Sequence, residues 1–518
     1  MNPCFLRSAG VELVCRSPPL FAAVASLLFI LATACAPLDA QAQTWSTETR
    51  LRAATAATTN GGLAPGGEER KDLVTAVTPS FAVDAEGLRF KLRGFVSVDL
   101  VGYARGSQSN RIAPTAEIDF AAALVERLFF LDSSVDIRSA QRDPFAARAD
   151  NLATSNSRTA AAYRVSPFLR YEASPLLTLL ARQDEEVTQS GTDELANRHF
   201  SRTQLRAERR PAPYGGSIEL VSQRQRYSSD GADDWNLDAL LLKGDVSFGG
   251  DLVVGPLLAY ERSKAFAETT DRTGIGAHLR WSPNERLLLA GAVQQRFFGT
   301  GWELNFRHRT PLTSFQVQAS RTPANTGTAP RSRLNTFLDS ILTTRYPDAS
   351  ARGALVANMI AVGGFRNELA SSAAVVASYP QVQGGARAAW VFLGSRNTVS
   401  VSAYHETLRT ISRPAAPSGP LPLVDADNRQ AGAAIGFNRR LTPQSSIDLT
   451  SSWSRIRGLG DRDGDESTEW AHRLTLTRQV SLRTAVSAGL QYRRLGTNAT
   501  GADPFSAADA FVGLNHRF

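Results

Sequence analysis

Apolar and polar residues alternate with a period of two along much of the chain. From Arg89 to Leu100, Phe90, Leu92, Val96, Val98 and Leu100 share one parity, while Arg89, Lys91, Arg93, Ser97 and Asp99 share the other, with Phe95 out of step. Leu242, Val246 and Phe248 alternate with Lys243, Asp245 and Ser247, and Ile275, Ala277, Leu279 and Trp281 with His278 and Arg280. Trp302, Leu304 and Phe306 alternate with Glu303, Asn305 and Arg307, and Val486, Ala488, Leu490 and Tyr492 with Ser487, Gln491 and Arg493. Side chains at i and i+2 share one face of a strand, so each stretch predicts a strand with one apolar and one polar face.

Soluble strands average about five or six residues. These stretches run about ten to fourteen between turn signals, the length of a strand tilted across a hydrocarbon layer. Short turns (Ala85-Glu86-Gly87, Ala173-Ser174-Pro175, Gly249-Gly250-Asp251, Ser282-Pro283-Asn284, Thr310-Pro311, Gly394-Ser395-Arg396, Thr442-Pro443-Gln444) interleave with longer polar loops, such as Pro144–Thr159, Arg413–Arg429 and Gly458–Thr468. Short turns on one side and long loops on the other predict an all-β, transmembrane antiparallel β-barrel over residues 43–518, with roughly 18 to 22 strands and 22 preferred. Tyr171, Trp281, Trp453, Trp470 and Tyr492 fall toward segment ends, where aromatic girdles sit.

One segment breaks the alternation. Within Pro323–Gln383, Leu334, Phe337, Leu338, Ile341 and Leu342 recur at helical spacing, and Leu355, Val356, Met359 and Ile360 form a second apolar stripe. A barrel this wide encloses a water-filled channel unless something fills it, so this helical insertion is expected to plug the lumen or to cap it. Leu334, Phe337, Leu338 and Ile341 are the candidate constriction residues.

The chain ends on Phe518, with Val512 and Leu514 on the same parity and His516 interrupting the series. This ending is similar to the terminal signal of bacterial outer-membrane proteins, which implies the barrel assembly machinery as a partner. At the other end, Arg7 and Arg16, the apolar run Leu20–Ala34 and Ala40-Gln41-Ala42 predict a signal peptide over residues 1–42; Cys35 offers a competing lipoprotein site. Export with no later helical span leaves the periplasm, the exterior or the outer membrane, and the strand pattern selects the last. Outer-membrane lipid and lipopolysaccharide are then surrounding partners.

Composition narrows the chemistry. The chain has 518 residues, with 42% hydrophobic and 20% charged positions, ordinary for a folded protein and unlike a disordered tail. Cys4, Cys15 and Cys35 are its three cysteines, so the body can hold neither a disulfide framework nor a Cys-ligated metal. Histidines 199, 278, 308, 405, 472 and 516 show no pair at metal-ligand spacing. The acidic run Asp461–Glu466 lacks the closing Glu of a calcium loop, since His472 stands there. No phosphate-binding or dinucleotide fingerprint occurs, and the net charge of +8 is not focused into a nucleic-acid patch. No cofactor, metal, enzymatic activity or nucleic-acid partner is expected.

Of 57 basic residues only four are lysine. Arg89, Lys91, Arg93, Arg170, Arg280, Arg307, Arg473 and Arg493 lie on the polar parity and are the candidate lumen-lining cations, with Glu172, Asp245 and Glu303 among them. A cationic lumen would favour anionic solutes; internal ion-pair ladders would consume the same charge.

Val77-Thr78-Pro79-Ser80-Phe81, Glu86-Gly87-Leu88-Arg89-Phe90-Lys91-Leu92, Leu124-Val125-Glu126-Arg127-Leu128-Phe129-Phe130-Leu131-Asp132 and Tyr163-Arg164-Val165-Ser166-Pro167-Phe168 together resemble the outer-membrane β-barrel proteins associated with PEP-CTERM/exosortase systems. The resemblance implies an export conduit linked to exopolysaccharide or another envelope polymer, with export-complex proteins as partners. It carries no catalytic or ligand residue. The alternative is a structural or adhesion barrel with a closed lumen whose outer loops bind a partner.

Overall fold

The structure is a computed structural model that describes residues 44–147, 156–190, 197–227, 234–265, 268–323, 334–343, 345–347, 352–353, 355–356, 359, 380–411 and 427–518. The predicted signal peptide and the Cys35 site lie outside the described residues, as does Ile360 of the second apolar stripe.

The strands are β1 (Thr44–Thr58), β2 (Asp72–Glu86), β3 (Phe90–Tyr103), β4 (Arg111–Val125), β5 (Phe129–Gln141), β6 (Ser157–Glu172), β7 (Leu177–Ser190), β8 (Arg198–Arg209), β9 (Tyr214–Tyr227), β10 (Trp235–Phe248) and β11 (Leu252–Ala265). They continue as β12 (Glu268–Asn284), β13 (Leu287–Arg296), β14 (Gly299–Arg309), β15 (Thr313–Pro323), β16 (Gln381–Leu393), β17 (Asn397–Thr410), β18 (Asn428–Thr442), β19 (Ser445–Gly458), β20 (Glu466–Gln479), β21 (Thr484–Thr497) and β22 (Phe505–Arg517). A helix, α1 (Leu334–Leu342), lies between β15 and β16.

All 22 strands form one sheet. β22 pairs antiparallel with β1, from Arg50 opposite Arg517 to Thr58 opposite Asp509, which closes the barrel. Closure leaves no unpaired strand edge, the condition for a sheet to span hydrocarbon. An even-stranded closed antiparallel barrel with an apolar outer wall is the architecture of the Gram-negative outer membrane, and the protein spans that membrane.

Turns of two to four residues close one end. The other end carries the longer connections, including 59–71, 142–156, 411–427 and 324–380. Two connections on that side, 266–267 and 297–298, have only two residues, so the long-loop side is uneven. The insertion is also shorter than expected from sequence: Pro323 and Gln381–Gln383 belong to β15 and β16, because the ladder holds Pro323 opposite Val382.

Outward columns run from aliphatic to aromatic toward the ends, as on β21, where Val486, Leu490 and Tyr492 are exposed. Phe95 is out of step because it faces inward, opposite Ala82 and Glu117. Glycine shapes part of the inner wall. A Cβ on Gly255 would come within 1.8 Å of the Gly244 carbonyl oxygen, and one on Gly274 within 1.9 Å of that of Gln295. Only glycine permits this close inward curl of the wall from β10 to β13.

Candidate functional site: the barrel lumen

The polar parity forms the inner wall. Lys91, Arg93, Arg170, Arg280, Arg307, Arg473 and Arg493 all lie on it, in register with other polar inward residues. Arg89 does not. It occupies the turn before β3, exposed at the rim and 3.8 Å from Glu126, because β3 begins one residue later.

Most of these cations are engaged by neighbours. Lys91 meets Glu86 at 3.6 Å, Arg93 meets Asp84 at 3.4 Å, Arg170 meets Glu172 at 3.3 Å and Arg493 meets Asp509 at 3.6 Å. Arg473 lies over the ring of Phe511 at 4.3 Å and hydrogen-bonds Thr475 and Gln491. On β5–β7 a continuous ladder forms: Arg182 pairs with Asp132 at 3.0 Å and Asp184 at 2.8 Å, and Arg164 with Asp184 at 2.9 Å. Farther along, Asp245 lies 3.1 Å from Lys243 and 3.0 Å from His278. The inner wall therefore carries much charge with little net field in these sectors.

β12–β14 differ. Arg280 and Arg307 are exposed to the lumen and have no ion-pair partner among the described residues, and Glu303 is exposed nearby. Four of the inward positions on β12 and β13 are small, Gly274, Gly276, Ala290 and Ala292, with His278, Leu288 and Gln294 among them. Small side chains leave room, and the two guanidiniums set its sign.

The neighbouring sector is filled by α1. Its apolar stripe, Leu334, Phe337, Leu338, Ile341 and Leu342, packs with Val356 on inward Ala389 and Val391, flanked by Leu393. The Ser340 hydroxyl donates to Ser314 Oγ at 2.9 Å, and Arg309 Nη1 donates to the Ser340 carbonyl at 3.4 Å. Arg309 and Ser314 flank the short turn 310–312. The helix thus lies inside the barrel at the short-turn end, although its connection leaves from the opposite end.

This arrangement corrects the role expected for the constriction candidates. Leu334, Phe337, Leu338 and Ile341 do not line a passage; they are buried against the wall. The exposed or half-buried residues of the helix are Asn335, Thr336, Asp339 and Ser340, with Asp339 held by Arg352 at 2.8 Å. An apolar stripe in an aqueous lumen is stable only against apolar wall. The unbroken apolar run Ala388–Leu393, which marks a strand covered on both faces, was the sequence signal for that wall.

A second obstruction sits at the outer mouth. The 142–156 connection places Phe145, fully buried, against inward Ile456 and Ala499. Ala147 joins Leu63, Leu495, Phe505 and Ala507. Asn156 holds the loop together, donating to the carbonyls of Asp143 at 2.7 Å and Ala147 at 2.9 Å, while its own Oδ1 accepts from Asp143 N at 2.7 Å. Asp143 Oδ1 accepts from Phe145 N at 2.9 Å. Burial pushes the Asp143 carboxyl above the ordinary carboxylate range, against the lowering effect of the Phe145 amide and Arg462. Sequence periodicity gave no sign of this contact, since its residues come from three separate connections and three strands.

At the chain end, Phe518 N donates to the Thr49 carbonyl at 3.0 Å, and the exposed Phe518 ring meets His516 edge-on at 4.8 Å. Val512 and Leu514 lie on the same outward column, both exposed. In the acidic run, Asp465 pairs with Arg462, and Glu466 with Arg455 and Arg457.

No family model matches the chain, and no curated protein matches it. Among solved structures, it is similar to the FrpB iron transporter from Neisseria meningitidis in its apoprotein form, at 10% identity over 91% of this chain and 81% of that chain, with a TM-score of 0.46. It is similar to the siderophore receptor PirA from Acinetobacter baumannii at 9% identity, covering 92% of this chain and 81% of that chain, with a TM-score of 0.45. It is also similar to OmpT, an outer-membrane protein of Vibrio cholerae, at 8% identity, covering 93% of this chain and 99% of that chain, with a TM-score of 0.33.

Proposed function

We propose that the protein is an outer-membrane conduit for anionic solutes, held nearly closed by two internal obstructions. The observation that carries this reading is the β12–β14 wall, where Arg280 and Arg307 stand exposed with no ion-pair partner among the described residues, beside small inward Gly276, Ala290 and Ala292, while neighbouring sectors are neutralised or filled. A guanidinium facing water in a confined, low-dielectric tube attracts anions and repels cations. Passage is passive: α1 narrows the short-turn end, and residues 142–147, with Phe145 among them, narrow the outer mouth. The cargo we favour is an exopolysaccharide or another acidic envelope polymer, the class implied by the resemblance to exosortase-associated barrels, delivered by export-complex proteins.

Single-channel recording in planar bilayers tests this. The intact protein is expected to conduct weakly, and a variant with residues 324–380 replaced by a short Gly/Ser loop to open a large anion-preferring pore. If both remain silent, the lumen is closed by its own wall and the conduit reading fails. The buried packing of Phe145 across the mouth would then favour the second reading, a closed barrel whose outer surface binds a partner.

A further inference from the structure

On the outward face of β18–β21, charge, aromatic and aliphatic residues succeed one another in depth. Along β19 the outward column reads Arg457, Arg455, Trp453, Ser451, Leu449 and Ile447, and along β21 Arg494, Tyr492, Leu490, Ala488 and Val486. Register aligns these columns: Trp453 is opposite Trp470, Trp470 is opposite Arg494, and His472 is opposite Tyr492. The rings form a row, with Trp453 and Trp470 centroids 6.4 Å apart, Trp470 and His472 6.1 Å apart, and His472 and Tyr492 6.5 Å apart. Such a row marks the membrane interface, so the arginines beyond it stand at headgroup depth on the long-loop side.

The arginines are more crowded than ordinary strand pairing tolerates. Arg429 on β18 is directly opposite Arg457 on β19, with Cα atoms about 5 Å apart, and like charges in that relation repel. Glu466 is shared by Arg455 at 2.6 Å and Arg457 at 2.9 Å, so one carboxylate serves two guanidiniums. Arg429 and Arg494 are exposed and have no ion-pair partner among the described residues. Four cations facing one carboxylate at headgroup depth leave a site for an anion carried by the surrounding lipid.

We propose that Arg429, Arg455, Arg457 and Arg494 form a binding site for the phosphate of an outer-leaflet lipid, whose acyl chains lie along the aliphatic columns below Trp453, Trp470 and Tyr492. Guanidinium forks match phosphate oxygens, and the bound phosphate relieves the repulsion between Arg429 and Arg457.

The test uses the full barrel purified in detergent, with binding of diphosphorylated lipid A followed by native mass spectrometry. Wild type is expected to retain the lipid, and the double variant Arg429→Ala/Arg494→Ala to bind it about thirtyfold more weakly. Arg439→Ala, which removes an outward arginine at the opposite end of β18, is expected to bind as wild type does. Heat-modifiable mobility on gels establishes that each variant is folded. Equal binding by wild type and the double variant overturns the proposal, as does equal binding of lipid A stripped of its phosphates. If millimolar inorganic phosphate occupies the site while lipid affinity is insensitive to both substitutions, the site takes free phosphate and the lipid assignment is wrong.

Discussion

The guanidinium of Arg462 lies over the ring of Phe145, with Cζ 4.4 Å from the ring centroid. Phe145 follows β5 and Arg462 precedes β20, so β21, β22 and β1–β4 stand between them in the wall. A contact across that span ties residues 142–147 over the mouth instead of leaving them in the medium. Phe145→Ala removes a fully buried ring and its cation partner, a loss on the order of 3 kcal/mol. The barrel ladder does not depend on this ring, so the expected result is local. Limited proteolysis should cut within 142–156 much faster in the variant, with unchanged heat-modifiable mobility. Unchanged cleavage would show that the loop is held by other means.

Asp143 gives that contact a pH dependence. Its carboxyl is held above the ordinary range by burial, so the folded loop binds the proton more tightly than the released loop does. The stabilisation is complete below the ordinary aspartate pKa and is lost as pH rises through the raised value. Proteolysis of the 142–156 connection is therefore expected to be slow in acid and to accelerate toward neutral pH, using a protease whose own pH response is corrected with a model peptide. Asp143→Asn should flatten the profile at the slow level; a profile unchanged by that substitution would remove Asp143 from the account.

The wall of this protein was legible in its sequence because lipid and water impose opposite demands on alternate residues. Leu490 and Gln491 could not exchange faces without burying an amide in hydrocarbon, so parity alone placed them. The lumen was less legible. Inward Ile456, Leu495 and Phe505 break the polar rule for a reason that lies in distant Phe145 and Leu63, and no local pattern encodes that meeting. Helical spacing did reveal the stripe of α1, but an apolar stripe states only that it is covered, not by what; Val391 supplied the answer.

Anchoring of α1 can be weakened without touching the wall. Leu338 is fully buried in the contact with Ala389 and Val391, and Leu338→Ala should cost about 2 to 5 kcal/mol of local packing. The expected outcome in bilayers is a rise in open-channel noise and in mean conductance, short of that obtained by removing residues 324–380. A trace indistinguishable from wild type would mean that the helix does not limit the passage.

Substitution of Phe518 tests the expected assembly signal apart from stability. Its ring is exposed to lipid, and its backbone alone closes the last hydrogen bond to Thr49. Phe518→Ala should change the stability of the refolded barrel by less than about 1 kcal/mol, yet reduce the amount reaching the outer membrane in cells several-fold. Equal losses in both measurements would make the residue structural; no loss in cells would remove it from the assembly signal.

In the proposed conduit, selectivity is assigned to Arg280 and Arg307, and here sign is the decisive readout. Both face the lumen unpaired among the described residues, whereas Arg93 and Arg493 have carboxylates beside them. Arg280→Glu/Arg307→Glu exchanges two cations for two anions on a wall where Gly276, Ala290 and Ala292 leave room and Glu303 already stands exposed, so the reversal potential in a KCl gradient should change sign from anion to cation preference. The same exchange at Arg93 should shift it far less, since Asp84 already balances that position. At about 1 M salt the screening length falls to roughly 3 Å, and the preference of the wild type should fade. If the double reversal leaves the preference intact, the field that selects solutes comes from elsewhere in the lumen, and the β12–β14 track is not the path.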